Sequence, residues 1–100
     1  MKVYAVVSEY YSYEYTMDSD FTMELFATEK DAKMYFEIKK EDCFNYYLNR
    51  YEISDVDDLK EEYFEDYDEG ESYMSLDIYD DCSEYIYIKE YDIMSFKEGN

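Results

Sequence analysis

The side chains that could do chemistry here are 28 carboxylates, two thiols and 16 phenols, with no histidine among them. Without histidine there is no Ser–His or Cys–His nucleophile pair and no imidazole metal ligand. Cys43 and Cys82 lie far apart in sequence and lack metal-site spacing, so they read as free buried thiols of a reducing compartment. Glycine occurs only at Gly70 and Gly99, which leaves no glycine-rich phosphate loop. The stretch around Gly70 superficially resembles an EF-hand loop. With Gly70 as its sixth position, the first, third, fifth and twelfth are Glu65, Tyr67, Glu69 and Leu76. Tyr67 and Leu76 cannot supply the oxygen ligands required there. Paired carboxylates do acid–base work only where an apolar pocket raises the pKa of one of them. A chain of 100 residues has little room for such a pocket and a substrate cleft. The expectation is a protein that is not an enzyme, with no catalytic residue, no metal and no cofactor.

What remains is charge and tyrosine. The formal net charge is -19, and it is unevenly spread. Residues 1–50 hold 10 acidic and 6 basic side chains, residues 51–100 hold 18 and 3, and Lys60 is the single base within 52–71. Repulsion of this size costs folding stability, and solubility alone needs a net charge of only about 2–8 in magnitude. An α-helix rises about 1.5 Å per residue, so seven carboxylates between Asp55 and Asp66 would occupy about 18 Å. B-DNA carries roughly ten phosphate charges over that length. The two densities agree within a factor of about two, so a protein built to grip phosphates would also attract this surface. Tyrosine gives rigid contact area and packs on guanidinium groups. The expected partner-binding residues are Asp58, Glu61, Glu62, Glu65, Asp66, Glu69, Glu71, Tyr73, Asp77, Tyr79, Asp80, Asp81, Tyr85 and Tyr87. Tyr35, Tyr47 and Tyr63 read as core, and Glu9, Glu14 and Asp18 as a region of lower charge density.

The elements that must position these groups follow from periodicity. High net charge often means disorder, but rings at regular intervals argue for a folded domain spanning 1–100. Residues 2–10 alternate as a strand, with Val3, Ala5 and Val7 on one face and Tyr4, Val6 and Ser8 on the other. Residues 11–20 read as a loop and 21–26 as a second strand carrying Phe21, Met23 and Leu25 on one face. Thr28, with Asp31 three residues on, opens a helix reaching about Asn49. Its apolar face holds Ala32, Tyr35, Phe36, Lys39, Cys43, Tyr46 and Tyr47. Ser54 opens a second helix with Val56, Leu59, Tyr63 and Tyr67 inward and Asp58, Glu61, Glu62, Glu65 and Asp66 outward. Asp68-Glu69-Gly70 ends it. Residues 72–80 and 84–93 alternate as a closing hairpin. The predicted fold is α+β with order ββααββ: a mostly antiparallel four-stranded sheet with two helices packed on one face. Its predicted core is Val3, Ala5, Val7, Phe21, Met23, Leu25, Ala32, Phe36, Leu59, Leu76, Ile78, Ile86 and Ile88. The apolar run Val3–Val7 is shorter than a signal peptide requires, and no stretch approaches the roughly 18 apolar residues of a membrane span. The expectation is a cytoplasmic protein without membrane contact.

The segments KVYAVVSEYYS, LFATEKDAKMYF and YIKEYDI resemble a loose family of small phage proteins. Members begin with a KVY-type strand, carry a "sKEkAe.Y" helix and end in an acidic strand. Met1–Phe36 and Tyr85–Ile93 match that pattern, and residues 52–84 look like an acidic insertion. In charge and size the chain is similar in type to the DNA-mimicking inhibitors phages make, among them anti-CRISPR, anti-restriction and uracil-glycosylase-inhibitor proteins. That resemblance implies an inhibitor of a host defence enzyme, foremost an anti-CRISPR protein acting in the host cytoplasm. The implied partner is a basic nucleic-acid-binding protein such as an RNA-guided nuclease, whose PAM-reading cleft is lined by arginine; the chain itself would not bind nucleic acid. The alternative is an acidic phage accessory module whose Tyr-rich sheet face binds a protein partner.

Overall fold

The computed structural model describes residues 1–12, 19–79 and 81–93. Seven elements follow one another: β1 (Lys2–Ser12), β2 (Ser19–Phe26), α1 (Glu29–Arg50), α2 (Val56–Glu62), β3 (Phe64–Glu69), β4 (Tyr73–Ile78) and β5 (Cys82–Asp92). The strands form one antiparallel sheet in the order β2-β1-β5-β4-β3. The fold is α+β as expected, but with five strands instead of four. The extra strand, β3, takes the C-terminal half of the expected second helix.

Local chemistry sets the helix ends. The Thr28 hydroxyl accepts the Asp31 N–H at 3.2 Å, which satisfies an amide left over at the start of α1. α1 then runs through Asn45 to Arg50. α2 is capped by Asp55, one residue later than expected: its carboxylate accepts the Asp57 N–H at 2.7 Å. α2 closes after two turns because Phe64 is drawn into the core and starts β3. A β-bulge between Phe64 and Asp66 sets Glu65 outside the ladder, so that Phe64 faces Ile78 and Tyr67 faces Leu76.

The helices cover one sheet face. Beneath them lie Val6, Met74, Leu76, Ile78, Cys82 and Ile86, packed against Ala32, Phe36, Cys43, Phe44 and Tyr47 of α1 and Leu59 of α2. Tyr35 and Tyr63 are half-buried against this core, as is Ile88. Tyr46, expected on the inner face of α1, is exposed. Both cysteines are buried and free.

The largest correction concerns β2. Phe21, Met23 and Leu25 were expected in the core, yet they are 59%, 43% and 59% exposed. Opposed residues in an antiparallel ladder share a face, and the register pairs Leu25 with Ala5, Met23 with Val7 and Phe21 with Glu9. All six project to the face the helices do not cover. Ala5 and Val7 are buried there by taller neighbours, outside the main core, and Val3 is half-buried. No helix among the described residues is long and apolar enough to cross a membrane.

Candidate interaction surface

The uncovered sheet face can be read rung by rung. One rung runs Phe21, Glu9, Tyr85, Ser75, Asp68; the next runs Met23, Val7, Tyr87, Tyr73. A third runs Ser19, Tyr11, Ser83, Asp77, Asp66. Read across, the face grades from apolar side chains on β2, through tyrosine on β1 and β5, to carboxylates on β4 and β3. The strand alternation alone builds this gradient, because each contributing residue is two from the next along its strand.

Hydroxyl groups hold the carboxylates in place. Tyr11 and Tyr87 both donate to Glu9, Tyr73 donates to Asp68 at 3.0 Å, and Ser83 donates to Asp77. The hydrogen bonds from Tyr11 and Tyr87 hold the Glu9 carboxyl below its usual range, so it stays ionised at neutral pH. The same bond to Glu9, aided by burial, pushes the Tyr87 phenol up to about 12. Glu9, Tyr11, Ser83, Tyr85 and Tyr87 line a shallow recess of about 590 Å³. Tyr11 and Tyr85 meet edge to face there, with centroids 6.0 Å apart. A carboxylate among tyrosine rings suits a guanidinium, which pairs with the one and stacks on the others.

Around the β3 edge the anionic groups continue onto α2. Asp58, Glu61 and Glu62 are exposed on α2, Glu65 and Asp66 on β3, and Glu71 in the turn before β4. Asp57 and Asp68 join them. Among the described residues no lysine or arginine pairs with any of these eight carboxylates. The expected single acidic helix arc is therefore corrected: Glu65, Asp66 and Glu69 belong to a strand, and the carboxylates wrap around a sheet edge.

Two expected members point elsewhere. Glu69 lies on the helix-covered side, opposite Met74, and accepts from the Tyr67 hydroxyl at 2.6 Å and from Lys40 at 3.1 Å. Lys60 stands 3.9 Å from it. Those bonds hold its carboxyl below the usual range. Asp81 accepts from the Tyr51 hydroxyl and from Arg50 at 3.0 Å. Both charges are compensated within the fold. Tyr79 is exposed, Tyr73 and Tyr85 are exposed on the open face, and Tyr87 is half-buried between them. Asp80 lies outside the described residues, as do Glu14 and Asp18. Glu9, expected in a region of low charge density, instead sits among the tyrosines. Its phase was legible, since it continues the Val3, Ala5, Val7 alternation.

A second polar cluster lies under the helices. Tyr47 donates to Glu84 and stands 3.1 Å from the Cys82 sulfur. The Cys43 thiol donates to Glu84 at 3.5 Å. Burial pushes the Glu84 carboxyl above its usual range, against the pull of the Tyr47 and Cys43 hydrogen bonds. Burial likewise pushes both thiols up, Cys82 to about 11, so they are poor nucleophiles. No metal-ligating group of three or more side chains occurs among the described residues. Comparison with protein-family models, curated proteins and solved structures returns no match.

Proposed function

We propose that the protein is an inhibitor that occupies the nucleic-acid-binding cleft of a basic protein, presenting carboxylates where phosphates would lie. The observation that carries this reading is the band of eight carboxylates around the β3 edge that meet no lysine or arginine among the described residues, joined on one face to oriented tyrosines. A cleft lined with lysine and arginine is attracted to the band, and its guanidinium groups fit the recess at Glu9. In its most specific form the target is an RNA-guided nuclease and the protein an anti-CRISPR inhibitor of phage origin, working in the host cytoplasm. A second reading is favoured by the open face itself: a phage accessory module that docks a protein partner on Tyr11, Tyr73, Tyr85 and Tyr87, the acidity serving only solubility.

Salt and competition separate the two. The probe is a purified type II RNA-guided nuclease loaded with its guide, immobilised and titrated with the protein across a range of NaCl. Mimicry predicts affinity that falls steeply with ionic strength and displacement by a PAM-bearing duplex. A salt-insensitive complex that the duplex cannot displace supports the docking reading. Absence of any low-salt complex with this nuclease removes the anti-CRISPR assignment.

A further inference from the structure

We propose that β2 is a pairing edge through which a second copy of this chain extends the sheet, antiparallel, with Met23 on the two-fold axis. The inference stands independently of the proposed function.

The two edges of the sheet are built differently. β3 is six residues long, broken by a bulge, and carries Glu65, Asp66, Asp68 and Glu69. Short length, bulges and charge are the usual protections against edge-to-edge pairing. β2 has none of the first two. It pairs with β1 over eight consecutive rungs without a register shift, and it contains neither proline nor lysine. Its residues Ser19–Leu25 are exposed.

Among the described residues, the backbone groups of β2 that no strand takes up can be identified. The Ile88 N–H donates to Ser72 at 2.9 Å, away from β1. Val6, opposite Ile88, therefore turns its own N–H towards Glu24 of β2. By alternation the N–H and C=O groups of Phe21, Met23 and Leu25 point outward. The Phe21 N–H accordingly finds the Asp20 carboxylate at 3.2 Å instead of β1.

The side chains then select the register. A two-fold axis normal to the sheet keeps each face on its own side, so only same-face residues can oppose one another. Two registers overlap nearly the whole strand. Centred on Thr22, the pairing sets Asp20 against the partner's Glu24, twice over. Centred on Met23, it sets Asp20 against Phe26, Thr22 against Glu24 and Phe21 against Leu25, with Met23 against itself. No carboxylate then faces a carboxylate, and the exposed apolar residues of β2 become cross-strand neighbours. The acidic end of the molecule is far away. β3 lies at the opposite edge from β2, so the two β3 edges stand about 43 Å apart at roughly 4.8 Å per strand spacing. That is several times the Debye length of about 8 Å at physiological salt.

The test is sedimentation velocity of the whole chain over a range of protein and NaCl concentrations, with Met23→Lys and Met23→Glu as variants. Met23 is 43% exposed, and circular dichroism checks that both variants fold. The wild type should shift from monomer to dimer with rising concentration, more readily at higher salt, the opposite sign to the complex proposed above. Either variant sets like-charged residues directly opposite each other across the axis, with their Cα atoms about 5.5 Å apart, and should weaken the dimer by about tenfold or more. The two change net charge in opposite directions, so bulk repulsion cannot mimic that result. A wild type that is monomeric throughout overturns the proposal. So do variants that dimerise like wild type, or a Met23→Lys that strengthens the dimer while Met23→Glu weakens it.

Discussion

Replacing Glu61, Glu62 and Glu65 by glutamine and Asp66 by asparagine removes charge from both sides of the β3 edge while keeping shape. None of the four pairs with a base among the described residues, and all four are exposed. Folding therefore loses no favourable contact. Two like charges roughly 7 Å apart repel by about 0.6 kcal/mol in water before screening, so the variant should be as stable as wild type or more so by about 1 kcal/mol. Binding responds in the other direction. Electrostatic steering raises association rates by up to about 10³. The four are half of the eight carboxylates that make up this band. Halving the local charge halves the logarithm of the enhancement, a loss of about 30-fold in rate. Stopped-flow association at low salt with the guide-loaded nuclease measures it. The matching control neutralises Glu29, Glu37, Glu41 and Asp42 of α1, outside the β3-edge band. A quadruple β3-edge variant that associates at the wild-type rate, or a control that slows association equally, would refute the placement of the anionic surface.

The core and the pH response supply two further tests. Leu76 is 1% exposed beneath the helices, so Leu76→Ala should cost about 2–5 kcal/mol, whereas Leu25→Ala, at 59% exposure, should cost less than about 0.5 kcal/mol; urea unfolding at moderate salt compares them, and equal costs would contradict the assigned faces. Glu84 has its folded pKa raised by burial, so its contribution to stability is present at low pH and is lost as pH rises through that folded value. Glu9 and Glu69 are lowered by their hydroxyl and lysine donors, so theirs is present above the ordinary 4.5 and lost as pH falls through their folded values. Stability should therefore fall as pH drops from about 4.5 through the folded values of Glu9 and Glu69, and on an upper limb above 4.5 it should fall as pH rises through the folded value of Glu84. Glu84→Gln should flatten the upper limb, and an unchanged upper limb would exclude Glu84 as its source.

How much of this was legible in the sequence depended on whether each segment's period was ambiguous. β4 and β5 alternate cleanly, and Leu76, Ile78 and Ile86 are buried as expected. β1 is apolar on both sides, with Val3, Ala5 and Val7 on one and Tyr4 and Val6 on the other. Nothing within such a strand says which side a helix will cover. The decision comes from its neighbour: Ile86 and Ile88 must be covered, and they oppose Ser8 and Val6. That information is long-range, and its lack sent Phe21, Met23 and Leu25 to the wrong side. β3 was hidden for a local reason. Phe64 and Tyr67 are three residues apart, a helical spacing, yet both face the helices because the bulge absorbs one residue. Tyr63 and Tyr67, four apart, also satisfy a helix. A bulged strand thus imitates a short amphipathic helix, and only the buried ring of Phe64 distinguishes them.

The revised geometry also bears on why so much charge is carried at one end. Part of it has a structural use: an edge strand needs a charge or a bulge to discourage pairing, and β3 has both. Edge protection would be met by one or two carboxylates, and solubility by a net charge of about 2–8 in magnitude. Glu69 and Asp81 do internal work, tying Lys40 to β3 and Arg50 to the start of β5. The carboxylates on α2 do neither. Asp58, Glu61 and Glu62 cap nothing, pair with nothing basic among the described residues and protect no strand. Glu61 and Glu62 sit in the last turn of α2, where the helix dipole disfavours negative charge. In the proposed function, Glu61 and Glu62, which oppose the stability of their own helix and meet no base among the described residues, are the charges offered to a basic partner.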